Sequence, residues 1–188
     1  MKKLFGLFAA LLLALGLTSC GGGTVLADAN HDYYATGNFA GWGDATSKVE
    51  YKMTAIATND SRVSSIKSGL NNATGLYILE ITLPADAAGW DVGYTINGVE
   101  KKYDGNLTVK VIQTDTGSNV PNYWAQNPES GKVTSLTPET LYIPPFVEEN
   151  VNGAGTWNDN PVAIGGAGNY YIVFATFSGS KAMALIKR

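Results

Sequence analysis

The chain has 188 residues, 45% of them hydrophobic and only 15% charged, with a formal net charge of −3. So mildly acidic a chain lacks the clustered Lys and Arg that phosphate contacts require, which excludes nucleic acid as a partner. Its 22 Gly and low charge favour a turn-rich β protein over a helical one.

The first element is an export signal. Basic Met1-Lys2-Lys3 precedes the apolar run Leu4 to Leu17, and small residues follow at Thr18, Ser19 and Cys20. That run is shorter than the roughly 18 residues of a membrane span. Cys20 is the only cysteine, so it has no disulfide partner. Removal of residues 1–19 leaves 169 residues, enough for one domain, and loss of Lys2 and Lys3 takes the net charge to −5. Residues 20–30, small and polar, read as a flexible tether, and residues 31–188 as the folded domain.

Strand signals then follow in order. His31 to Gly37 is aromatic-rich. Val49, Tyr51, Met53 and Ala55 alternate with polar residues, the period of a half-buried strand. Ser61 to Leu70 spaces Val63, Ile66 and Leu70 at three and four, which predicts a helical turn. Leu76 to Leu83 is a strand stopped by Pro84. Val92 to Ile96 and Val99 to Tyr103 flank Asn97-Gly98, a hairpin signal because both residues tolerate positive φ. Leu107 to Gln113 is a further strand. Asn169 to Phe177 and Lys181 to Lys187 flank a second hairpin at Ser178-Gly179-Ser180. The polar stretches Thr114 to Ser135 and Pro144 to Gly168 read as long functional loops. About seven short strands separated by turns predict an all-β, antiparallel β-sandwich.

Chemistry-bearing groups are sparse. The single His31 sits at the start of the domain and reads as exposed and inert. With Cys20 set aside, neither a nucleophile triad nor a zinc site has its partners, and no metal or cofactor is expected. Glu148-Glu149 reads as a solvated face of a loop, so no acid–base pair supports hydrolysis. The expectation is therefore a protein that is not an enzyme. The Trp residues are more telling. Trp42, Trp90, Trp124 and Trp157 lie beside Gly, Asn, Asp or Pro. A Trp on a turn either caps the core or forms an exposed platform. Flat aromatic faces rimmed by amides and acids suit sugar rings.

Two resemblances add to this reading. Leu17-Thr18-Ser19-Cys20 resembles the lipobox of bacterial lipoproteins. It implies cleavage before Cys20, acylation of its thiol, and attachment to an outer membrane or cell surface through the N-terminal lipid. Tyr33 to Trp42 resembles the opening of early-set, immunoglobulin-like starch- and glycogen-binding modules, with their Gly-x-Phe-x-x-Trp turn at Gly37-Asn38-Phe39-Ala40-Gly41-Trp42. Gly75 to Leu83, Tyr94 to Gly98 and Gly165 to Phe174 are similar to the family's middle strand, hairpin and closing strand. With the lipobox, the whole is similar to the starch-binding lipoproteins of Bacteroides-type starch-utilisation systems. The resemblance implies a non-catalytic binder of starch or another polysaccharide or oligosaccharide, working with protein partners of a glycan-uptake system. It implies stacking of Trp42 on a glucose ring. The family's hydrogen-bonding Lys is matched by Thr95, and its second aromatic position holds Val99-Glu100, with Tyr103 the nearest aromatic. Tyr103, Trp124 and Trp157 are the candidate further platforms. Asn38, Asp44, Asn122 and Gln126 are the candidates to orient hydroxyls. The rival expectation is a structural or adhesive sandwich that binds protein.

Overall fold

The structure, a computed structural model, describes residues 23–36, 42–83, 92–103, 108–126, 139–142, 147–150, 160–161 and 168–188. Cys20 and the rest of the export segment lie outside the described residues. The described chain is mostly antiparallel strand in two sheets, with three short 3-10 segments at Trp42–Ser47, Val49–Tyr51 and Ser61–Leu70. One sheet runs β1 (His31–Thr36), β6 (Thr108–Asp115), β7 (Pro121–Gln126) and β9 (Val147–Asn150), with the two-residue β10 (Asn160–Pro161) also on β6. The other runs β5 (Val99–Tyr103), β4 (Val92–Ile96), β3 (Gly75–Leu83), β11 (Gly168–Phe177), β12 (Ser180–Lys187) and β8 (Thr140–Tyr142), with β2 (Thr54–Ala55) also on β3.

The central strands of the larger sheet, β3, β11 and β12, bury apolar residues on both faces, which explains their near-continuous hydrophobic runs. In register, Tyr77 faces Phe174, and Phe174 faces Met183, so one face is shared by all three strands. That face meets the smaller sheet through Tyr33 of β1. Its ring centroid lies 4.4 Å from that of Tyr77 and 5.3 Å from that of Phe174. On the opposite face, Leu76, Ile78, Tyr171, Val173 and Ile186 pack beneath Val63, Ile66 and Leu70. The Ser61–Leu70 segment is therefore a lid on the outer face of this sheet. Propensity did not place it there; burial of three apolar side chains did, each contributing about 1.5–3 kcal/mol.

Both hairpins form as the sequence predicts. Asn97 (φ 45°) and Gly98 (φ 81°) adopt the left-handed pair of a type I′ turn between β4 and β5. The β11–β12 hairpin closes over Ser178 and Gly179.

Three expectations change. The strand over Val49 to Ala55 is instead a 3-10 turn at Val49–Tyr51 followed by β2. Tyr51 and Met53 are buried as the alternation requires, but Val49 is 82% exposed. The segment is a crossover. Lys52 bridges Tyr34 in the smaller sheet, and two residues later Thr54 pairs with Ile78 in the larger. The expected loop Thr114 to Ser135 contains β7, and Pro144 to Gly168 contains β9 and β10. These strands lack an apolar alternation and take their conformation from pairing with β6 and with each other. Finally, the segment up to residue 30, expected as a tether, is held to the domain from Val25 onward. Val25 bridges Ala57, Leu26 donates to Ile56 at 3.0 Å and accepts from Leu76 at 3.1 Å.

Candidate functional site

The Trp42–Ser47 turn follows β1 and lies against it. Ala45 and Thr46 are buried, and the Thr46 hydroxyl donates to the Asn119 carbonyl at 2.8 Å. Asn119 stands two residues before β7, the strand that carries Asn122, Trp124 and Gln126. The bond thus brings the segment opening with Trp42 and Asp44 beside the start of β7. Trp124, expected on a turn, is a strand residue paired with Ile112 on one side and Glu149 on the other. Glu148 and Glu149, expected in a loop, are consecutive residues of β9 and pair with Ala125 and Trp124. Tyr103 is in the other sheet. It ends β5 opposite Val92, whereas the turn at the far end of that hairpin touches the crossover through Asn97 Nδ2 and the Glu50 carbonyl at 2.8 Å. The structure therefore sets the Trp42–Ser47 turn beside Asn119, which precedes the strand that carries Asn122, Trp124 and Gln126, and places Tyr103 in the other sheet. The side chains of Trp42, Asp44, Tyr103, Asn122, Trp124 and Gln126, and Asn38 and Trp157 altogether, lie outside the described residues.

A second constellation has no counterpart in the sequence reading. A cleft of about 280 Å³ opens between the Ser61–Leu70 lid and the end of β12. Its lid side carries Arg62 and the hydroxyls of Ser61, Ser64 and Ser65. Tyr171 and Ile186 form its floor, and Glu139, Lys187 and Arg188 close the other side. Asp60 caps the lid by accepting the Arg62 amide at 3.0 Å. Its carboxylate also binds the Arg62 guanidinium side-on, with Nε at 2.9 Å and Nη2 at 2.6 Å. The guanidinium holds the Asp60 carboxyl below the usual carboxylate range against the opposing effect of burial, and Asp60 in turn raises Arg62. Across the cleft, Arg188 Nη1 bonds the Glu80 carboxylate. The two guanidiniums stand 6.0 and 5.9 Å from the centroid of the Tyr171 ring. Glu139 has a left-handed backbone (φ 65°), unusual for a residue with a side chain, and its Oε1 accepts the Lys187 amide at 2.8 Å.

A third cluster ties down the N-terminal segment. Asp28 Oδ2 lies 2.6 Å from His31 Nδ1 and 3.4 Å from the Tyr33 hydroxyl, and the Tyr77 hydroxyl accepts the Asp28 amide at 2.6 Å. Burial works to raise the Asp28 carboxyl, but the bonds from His31, Asn30 and Tyr33 outweigh it and leave the carboxyl low. Burial raises the Tyr33 and Tyr77 phenols. His31, expected exposed and inert, is half-buried and works as a staple.

Compared with known proteins, the chain matches no family model, no curated protein and no solved structure. Among the described residues no helix is long and apolar enough to cross a membrane. Among them, too, no three of His, Cys, Asp and Glu gather as a metal site would need.

Sequence reasoning found the Trp42 segment because a contiguous motif announces it. It missed the cleft because Arg62, Glu139, Tyr171 and Arg188 come from separate stretches, and each alone reads as an ordinary surface or strand residue.

Proposed function

We propose that the protein is a non-catalytic, surface-anchored glycan-binding lipoprotein. In this reading the two antiparallel sheets form an early-set, immunoglobulin-like β-sandwich, and Cys20 carries the lipid. Trp42 stacks on a sugar ring, Trp124 extends the platform, and Asp44, Asn122 and Gln126 orient hydroxyls. The observation that carries the reading is the Thr46–Asn119 hydrogen bond, which seats the Trp42 turn beside the amide- and aromatic-bearing start of β7. The Gly-x-Phe-x-x-Trp resemblance supports the choice of an α-glucan. Binding on so shallow a site is weak for one copy, and many copies on one membrane raise avidity.

The test is affinity electrophoresis of the purified protein in gels cast with starch, glycogen, xylan, β-glucan or mannan. Retardation in one of these that is lost in Trp42→Ala supports the reading. A folded protein retarded in none of them overturns it for these polymers.

A second reading, a structural or adhesive subunit that binds protein, has one observation in its favour. Val49 and Val120 are 82% and 69% exposed, and they flank the same Thr46–Asn119 contact. Isolated exposed valines are common on soluble proteins, so this stays the alternative.

A further inference from the structure

The cleft between the Ser61–Leu70 lid and the end of β12 shares no residue with the Trp42 platform. Small-molecule sites typically combine an apolar floor with a few fixed polar groups, in pockets of about 300–1,000 Å³. At about 280 Å³ this cleft suits one small ligand or one unit of a chain. We propose that it binds a hydroxylated carboxylic acid, specifically a uronic acid, free or as a residue of an acidic polysaccharide.

The charges choose the ligand. A guanidinium has five N–H donors. Asp60 engages Nε and Nη2 of Arg62, and Glu80 engages Nη1 of Arg188. Each guanidinium is thereby held in place with donors left over. The carboxylate of Asp60 is buried, so that of the two groups in the pair Arg62 is the one offered to solvent, with its side chain 38% exposed. Two guanidiniums, each about 6 Å from the centroid of the Tyr171 ring, present the forked donors that a ligand carboxylate accepts.

Glu139 narrows the choice. Its carboxylate is fixed at the cleft by the Lys187 amide and by a strained backbone that itself donates from N to the Leu185 carbonyl at 2.7 Å. A fixed anion repels a phosphate or sulfate dianion about twice as strongly as a monoanionic carboxylate, and it accepts a hydroxyl. Ser61, Ser64 and Ser65 add hydroxyls that both donate and accept. A monoanionic acid carrying several hydroxyls meets all these groups together; a neutral hexose meets the spare guanidinium N–H donors only with hydroxyl oxygens, which bind them less strongly than a carboxylate does.

The test is titration of the isotopically labelled protein with glucuronate, glucose and inorganic phosphate, followed through the amide signals of residues 61–65 and 186–188. Glucuronate should saturate these signals, with glucose and phosphate weaker by about tenfold or more, the value of one or two charge-assisted hydrogen bonds. Arg188→Gln should weaken glucuronate by about tenfold at unchanged melting temperature, because Arg188 is half-exposed and contributes little to packing. Glu139→Gln should retain glucuronate and narrow its advantage over phosphate. Equal binding of glucose, unchanged affinity in Arg188→Gln, or no saturable response to glucuronate each overturns the proposal. A polygalacturonate arm separates free acid from polymer: tighter binding of the polymer assigns the site to a chain. None of these residues serves the Trp42 reading, so failure here leaves that reading standing, and failure in the neutral gels leaves this one standing.

Discussion

The Trp42 segment and the cleft under the lid differ in how the chain builds them. The first is contiguous. Aromatic and amide residues within ten positions announce it, and one hydrogen bond to Asn119 brings β7 alongside. The second is assembled from four stretches of chain, and its polar groups are oriented by carboxylates that are themselves fixed. A local motif can advertise a binding surface, whereas a preorganised one is visible only where the fold brings distant charges together.

This contrast can be broken in several places. The largest expected effect is on the lid. Leu70 is fully buried among Val63, Ile66 and the β11 side chains, so Leu70→Ala should cost about 2–5 kcal/mol, read by urea unfolding. Glucuronate binding should fall with it, while retardation in a neutral polysaccharide gel survives wherever the protein remains folded. Loss of both together would show that the two regions are not independent.

Next is the Asp60–Arg62 pair. Arg62→Ala leaves a buried carboxylate without its guanidinium and should cost about 1–3 kcal/mol. The pair also sets an acid limb. Asp60 has its carboxyl lowered by folding, so its stabilisation is complete above the unfolded value of about 3.9 and is lost as pH falls through the lower folded value. Asp60→Asn should flatten the stability profile between about pH 5 and pH 2, measured by urea midpoints. An unaltered acid limb would place that proton uptake elsewhere.

A smaller effect is expected at the β4–β5 turn. Gly98 has φ +81° with open space around it, so Gly98→Ala should cost about 1 kcal/mol through backbone strain alone, again by urea midpoint. Smallest is the coupling between the two regions. Trp42 follows β1 of the smaller sheet and Arg188 follows β12 of the larger, so the effects of Trp42→Ala and Arg188→Gln on stability should add to within about 0.5 kcal/mol.

Much of the fold was legible. Leu76 to Leu83, Asn97-Gly98 and the two C-terminal strands carry their structure in local pattern, because both faces of those strands are apolar or both turn residues accept positive φ. β7 and β9 were not, since Pro121 to Gln126 and Val147 to Asn150 have no alternation and depend on pairing, β7 with β6 and β9 with β7. Val49 misled because its alternation with Tyr51 and Met53 continued past the point where the backbone turns between sheets. His31 read as inert because Asp28, its partner, looked like part of a tether.

The most direct measurement is affinity electrophoresis of the wild type, Trp42→Ala and Arg188→Gln in neutral α-glucan gels and in polygalacturonate gels. The account predicts that Trp42→Ala abolishes retardation in the α-glucan alone, and that Arg188→Gln does not affect it there. A folded wild type that migrates freely in the α-glucan, or is retarded equally with and without Trp42, contradicts it.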